Sequence, residues 1–316
     1  MKITVILCTY NRCRNLAKAL DSLAGQVVPE STEWEGIVVD NNSSDQTREV
    51  IADFVREYPG RFRYLFESQQ GHSHARNAGV REATGDVLAF MDDDTTVAPT
   101  WLQHLTASLH NGEWAGAGGR ILPEWTCSCP RWLRLDSRQA SAPLALFDLG
   151  PKDGELKESP FGANMAFRKA MFARYGGFRT DLGRQPDSLM SSEESEFGAR
   201  LLAGGERFRY EPSAVVYHPV SETRVQKEYF LKWWFHKGRS HIRISGISLG
   251  TKWCFGGVPL YSFRRLARWT VTWLLAVEES RRFSCKLNVW VQLGEIFECY
   301  HQYVSAKTTK KKGYNA

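Results

Sequence analysis

The chain has 316 residues, 42% hydrophobic and 24% charged, which suits a globular protein of one large domain or two small ones. Its longest apolar run, 271–277, falls far short of the roughly 20 residues a membrane-spanning helix needs. The formal net charge of +6 lies wholly in the tail: residues 1–260 hold 31 basic and 31 acidic side chains, residues 261–316 hold 10 and 4, so the broad basic stripe of a nucleic-acid-binding face is missing.

In chain order, the first hundred residues alternate between strand and helix signals. The opening segment reads as a strand rather than a secretory leader, because polar residues follow its short apolar run at once and no small-residue cleavage site appears. ITVILCTY (3–10) is near-continuously apolar, as in a strand buried on both faces of a parallel sheet. A helix over 14–23 follows, with Leu16, Ala19, Leu20 and Leu23 at helical spacing. GIVVD (36–40) is a second buried strand, after which Ser44 or Asp45 can cap a helix carrying Val50, Ile51 and Phe54. Residues 61–67 form a third strand, 73–85 a helix ending at Gly85, and 86–92 a fourth strand. This rhythm predicts a Rossmann-like, mostly parallel central sheet flanked by helices.

The pattern loosens from about 100 to 160, a stretch rich in Gly, Pro and Trp, and regular signals return at 161–178, 191–205 and 207–220. Beyond 225 the chain reads as helical and increasingly basic and aromatic. The seven cysteines are scattered, and Cys127 and Cys129 form a lone C-x-C with no second pair. Neither a disulfide framework nor a zinc site is implied, and reduced thiols in a cytoplasmic protein are the expectation.

Open α/β sheets bind ligands at the carboxyl ends of their strands. Polar residues gather at three of those ends: Thr9-Tyr10-Asn11-Arg12, Asp40-Asn41-Asn42-Ser43, and Asp92-Asp93-Asp94. At ~5 Å and an effective dielectric near 20, neighbouring carboxylates repel by roughly 3 kcal/mol, so the aspartate run implies either a solvated loop or a bound cation. No G-x-x-x-x-G-K-[ST] loop or G-x-G-x-x-G fingerprint is present.

Together, VILCTYNR, VVDNNSSD, GHSHARNAG, FMDDD, FGANMAFRK, SSEESEF and VVYHPV resemble, in order, the motifs of family 2 glycosyltransferases, inverting enzymes with the GT-A fold. The resemblance covers residues 1 to about 240. It implies a catalytic domain over 1–225, with a nucleotide-binding half (1–100) and an acceptor-binding half (101–225), and a separate helical region over 226–316. Thr9, Tyr10, Arg12, Asp40 and Asn42 would then hold the nucleotide of a UDP-sugar donor, with Asp40 bonded to the base. Arg76, at a helix start, would meet the diphosphate. Asp92 and Asp93 would face the nucleotide, and Asp92, Asp94 and His218 would hold Mn²⁺ or Mg²⁺. Gly162, Ala163 and Asn164 would line the sugar and acceptor pocket.

The family's acidic pair reads Glu193-Glu194 here, which makes Glu194 the expected catalytic base and Glu193 the nearest alternative. A different role is open to Glu194, since Ser191-x-x-Glu194 is also a capping-box pattern. The implied activity is sugar transfer to a saccharide or lipid-linked acceptor during cell-surface polysaccharide or glycolipid synthesis. The rivals are a sugar nucleotidyltransferase, whose glycine-rich signature is absent, and a basic nucleic-acid-binding protein. In the tail, Phe263, Leu266, Thr270, Trp273, Leu274 and Val277 fall near one helical face, and Val289, Leu293, Ile296, Tyr300 and Tyr303 on another helix. These stripes suit either the inner surface of the cell membrane or packing against the protein or a second subunit.

Overall fold

The computed structural model describes residues 1–246 and 253–312, the last four of these by backbone alone. Its elements are β1 (Lys2–Thr9), α1 (Cys13–Ala24), β2 (Glu33–Asp40), α2 (Thr47–Glu57), β3 (Phe62–Phe66), α3 (His72–Glu82), β4 (Val87–Asp92) and β5 (Thr96–Val97). There follow α4 (Trp101–Thr106), β6 (Gly116–Trp125), α5 (Arg138–Ser141), β7 (Gly154–Leu156), β8 (Asn164–Arg168), α6 (Lys169–Tyr175), α7 (Glu193–Ala203) and β9 (Phe208–Val220). The C-terminal region holds α8 (Lys227–Ser245), the short pair β10 (Cys254–Phe255) and β11 (Val258–Pro259), α9 (Leu260–Leu275) and α10 (Glu279–Lys312).

These elements form two compact units. The first comprises Met1–Cys127, Leu144–Pro186 and Glu193–Ser221, and the second Ser128–Pro143, Asp187–Ser192 and the chain from Glu222 onward. The second unit thus takes in two segments that precede residue 226. One reason is Trp132, which packs edge-on to Phe230 and Phe283 at centroid distances of 5.1 and 4.8 Å.

In the first unit a mixed sheet runs β3-β2-β1-β4-β8-β6-β9-β5, with β7 pairing β9. The β3-β2-β1-β4 half is parallel throughout, as the buried apolar strands require. Antiparallel β8 then joins β4 to β6, and β6 runs parallel to β9. Helix α1 buries Leu16, Ala19, Leu20 and Leu23, the stripe its spacing predicts. Helix α3 packs on β1 and β2 through Ala75, Ala78 and Gly79, small enough for close approach. It stops before the expected Gly85, because Ala83 turns extended (ψ 135°) and lets the Asp86 N–H reach the Lys2 carbonyl at 2.7 Å. The core continues through interlocked rings, among them Phe172 stacked on Phe197 and Phe90 edge-on to Phe178.

In the second unit α8 and α10 cross at glycines. A Cβ on Gly238 would lie 2.1 Å from the Val291 carbonyl oxygen, and one on Gly294 1.9 Å from that of Phe235. Beside this crossing Glu298, 1% exposed, accepts from Arg239 (2.9 Å) and Arg243 (2.7 Å). The seam of α10 therefore includes Gly294, Glu295 and Glu298, and Tyr300 of the expected stripe is exposed. Charged residues fill the seam because α8 brings arginines to meet them. Among the described residues no helix is long and apolar enough to cross a membrane.

Candidate active site

The order β3-β2-β1-β4 sets three polar strand ends side by side. Cys8 pairs in register with Asp92, and Thr9 with Asp40. The loops after β1 and β2 are bonded to each other: the Asn11 N–H donates to Ser43 Oγ at 3.0 Å, and the Ser44 N–H to Asn11 Oδ1 at 2.8 Å. Asn11 and Asn42 both take left-handed backbone angles (φ 52° and 65°), which asparagine tolerates better than most residues. Asp45 ties the loops again, accepting from the backbone N–H groups of Cys13 and Thr47.

Asp40 is buried, with Oδ1 accepting the Ser43 N–H at 2.9 Å and Oδ2 the Tyr64 hydroxyl at 3.1 Å. It lines a cavity of about 470 Å³ with Ser43, Ser44, Arg48, Tyr64 and Phe66. Burial and the neighbouring Asp40 charge push the Tyr64 hydroxyl pKa up, so it stays a donor. Tyr64 and Arg48 are absent from the sequence-derived site. Tyr64 sits in β3 like any partly buried strand residue, and only the β2–β3 register turns it toward Asp40. Tyr10 is half-buried and Arg12 and Asn42 are exposed.

The aspartate run begins at the last residue of β4. Asp92, Asp94 and His218, the last near the end of β9, bring one ligand atom each to within 4.8 Å of one another. His218 Nε2 is 3.8 Å from Asp94 Oδ1, and Arg12 Nη1 is 3.7 Å from Asp94 Oδ2. Burial and then the Asp94 charge push Asp93 up to about 7, against the opposing influence of Arg12 and Thr9. Concentrated negative charge beside a buried imidazole is a donor set that a divalent cation fits.

Arg76 is 3% exposed and bonded to protein at both Nη atoms. Its Nη1 donates to Glu193 Oε1 at 2.8 Å, its Nη2 to the Gly162 carbonyl at 2.9 Å, and Asp92 Oδ1 lies 3.5 Å away. His72 Nδ1 is 3.1 Å from the same Glu193 oxygen. Burial alone would raise the Glu193 pKa, but His72 and Arg76 override it and hold the carboxyl at about 2. Glu193 is thus held as an anion between Arg76 and His72. Glu194, next along α7, is half-buried, and its carbonyl accepts from Ser159 Oγ at 2.7 Å.

The remaining expected residues lie among protein partners. Arg76, expected at a diphosphate, is held against Glu193 and the Gly162 carbonyl. Gly162 is small on account of that arginine: a Cβ there would meet Arg76 Nη2 at 3.0 Å. Asn164 is the first residue of β8. It is fully buried, accepting from Trp101 Nε1 (2.8 Å) and donating to the carbonyls of Arg120 (2.9 Å) and Ala214 (2.8 Å), so it joins strands in the core. Ala163 is likewise buried.

The model of the family described as Glycosyl transferase family 2 matches residues 4–176. The succinoglycan biosynthesis protein ExoM of Rhizobium meliloti is 29% identical over 245 residues, 77% of this chain and 75% of that protein. A glucosyl-dolichyl phosphate glucuronosyltransferase of Haloferax volcanii is 29% identical over 252 residues, 76% of each chain. Among solved structures, the mannosyltransferase PcManGT from Pyrobaculum calidifontis, in complex with GDP-Man and Mn²⁺, is similar with TM-score 0.55 and 18% identity. The match covers 97% of this chain and 75% of that one. Staphylococcus aureus TarS 1–349 in complex with UDP gives TM-score 0.53 and 18% identity over 96% and 92% of the two chains.

Proposed function

The chain belongs to glycosyl transferase family 2 and has the GT-A fold, and from that premise we propose an inverting transfer of a sugar from a UDP-sugar to a saccharide or lipid-linked acceptor in cell-surface polysaccharide or glycolipid synthesis. The observation that carries this reading is the convergence of Asp92, Asp94 and His218 beside the strand ends that bear Asp40 and Thr9. The fold alone does not specify chemistry, so this grouping of ligands and the cavity lined by Asp40 are what support the reading.

Asp92, Asp94 and His218 would hold a divalent cation. An imidazole nitrogen in the set favours a transition ion such as Mn²⁺ over Mg²⁺, which prefers oxygen and sheds water reluctantly. When bound, the ion supplies positive charge that stabilises a departing diphosphate. Asp40 accepts an N–H of the donor base, and the Tyr64 hydroxyl holds that carboxylate in place. Glu194 removes the acceptor hydroxyl proton as its oxygen attacks, on the face opposite the leaving group. Buried Arg76 and Glu193, with half-buried His72, form a brace that sets the position of Asp92 and the start of α7. The sugar nucleotidyltransferase and nucleic-acid-binding alternatives lack any comparable support.

The test is thermal unfolding with UDP- and GDP-sugars, each with and without Mn²⁺, followed by NMR of the anomeric product. A ligand at a hundredfold excess over Kd stabilises the folded state by about 2.7 kcal/mol. Stabilisation by UDP-sugars only when Mn²⁺ is present, and a product of inverted configuration, are expected. Unfolding temperatures indifferent to every donor, or retention at the anomeric carbon, would sink the reading.

A further inference from the structure

Helix α9 is apolar on two opposite sides. On one, Leu266, Thr270 and Trp273 are half-buried, and Trp273 lies edge-on to Trp290 of α10 with centroids 6.5 Å apart. That side accounts for the part of the expected stripe that packs. On the other, Leu260, Phe263, Val271 and Leu274 follow the three- and four-residue spacing of a single helical face, yet all are exposed, Leu274 by 62%. Leu275 and Val277 extend this surface at 75% and 96% exposure. One contiguous row of large apolar side chains facing water marks an interaction surface, whereas scattered exposed residues would need no explanation.

Charge identifies the occupant. Helix α9 contains no acidic residue, and exposed Arg264 and Arg268 lie on the same outward side as the apolar row. Among the described residues neither arginine has a carboxylate partner, whereas Arg265, on a different flank, lies 3.6 Å from Glu295. A second copy docked symmetrically on this face would place arginine rows close to their own counterparts. A surface of anionic headgroups over hydrocarbon satisfies both features at once, with apolar side chains entering the acyl boundary and guanidinium groups meeting phosphate. We propose that α9 lies in the plane of an anionic lipid membrane, with Leu260, Phe263, Val271, Leu274 and Leu275 inserted and Arg264 and Arg268 on the headgroups. This attachment goes beyond the proposed sugar transfer and does not depend on it.

The experiment is co-sedimentation of the full chain with phosphatidylcholine vesicles that contain or lack phosphatidylglycerol, over a range of salt. Binding to the anionic vesicles that weakens with added salt is expected. Leu274→Asp should lower the partition coefficient more than ~10-fold, and each of Arg264→Ala and Arg268→Ala about 5-fold on anionic vesicles alone, as ~1 kcal/mol per basic residue implies. Because these side chains are exposed, the unfolding temperature should be unchanged, and Leu275→Ser provides a second, milder variant of the same surface. Absence of wild-type binding to anionic vesicles would overturn the proposal. So would equal binding by Leu274→Asp and Leu275→Ser, or a self-association in solution that Leu274→Asp abolishes.

Discussion

Arg76 and Glu193 meet at 2.8 Å with both side chains almost wholly buried, although 117 residues separate them in sequence. The pair joins the start of α3 to the start of α7 and, through Arg76 Nη2, reaches toward Asp92. Removing Glu193 leaves the buried Arg76 charge with only the more distant, partly exposed Asp92 to offset it. Glu193→Gln should therefore cost about 3–5 kcal/mol of stability, read as a lower denaturant midpoint. A Glu193→Gln protein as stable as the wild type, but inactive, would shift the catalytic role onto Glu193.

Glu194→Gln should behave in the opposite way. Turnover should fall by ~10²–10⁴-fold while donor affinity stays unchanged, because Gln cannot accept the acceptor's proton. Stability should stay within about 0.5 kcal/mol, as at ordinary partly exposed positions. Single-turnover kinetics beside donor titration separate the two quantities. Near-normal turnover would remove Glu194 from the chemistry.

His218 is the one nitrogen donor among the three grouped ligands. His218→Ala should raise the Mn²⁺ concentration for half-maximal donor binding at least ~10-fold, or about 1.4 kcal/mol. Isothermal titration of Mn²⁺ with UDP present measures this directly. The Mg²⁺ requirement should change less, since the oxygen ligands remain. Identical Mn²⁺ curves for wild type and variant would exclude His218 as a ligand.

A pH effect should arise far from the site, at Glu35. Its Oε1 accepts from Thr4 Oγ1 (2.8 Å), the Thr84 N–H (3.0 Å) and Thr84 Oγ1 (2.6 Å), and Arg63 lies 3.1 Å from Oε2. Burial would raise its pKa, but these donors override it and lower it from 4.5 to about 2. The stabilisation is therefore full above pH ~4.5 and is lost as pH falls toward 2. Glu35→Gln should melt below the wild type at pH 7, and the gap should narrow between pH 4.5 and 2. A gap independent of pH would mean the carboxylate charge contributes nothing.

Much of the parallel half of the fold is legible in the sequence, because strands buried on both faces leave uninterrupted apolar runs such as residues 3–8, and α1 shows a clean stripe. Asp92 and Asp94 are legible for a different reason, since polar residues at the end of such a strand reach the sheet's rim, whereas His218, inside β9, is expected only through the family resemblance. Pairings between distant segments are not legible. Nothing in a linear reading joins Arg76 to Glu193, or Tyr64 to Asp40. Nor does it show that the Asn164 amide is buried and bonded to Trp101 and to the carbonyls of Arg120 and Ala214. The α8–α10 seam escapes apolar periodicity because glycines and a buried glutamate–arginine cluster build it.

The mutual bonding of the Asn11 and Ser43–Ser44 loops has a consequence for redesign. Each loop completes the other's hydrogen bonds, and each contains an asparagine in a left-handed turn. A graft of one loop from a homologue would strand the donors and acceptors of the loop left behind, at a net cost of about 0.5–1.5 kcal/mol per bond. Residues 9–13 and 40–47 therefore constitute a single exchangeable cassette, to be transplanted as the pair.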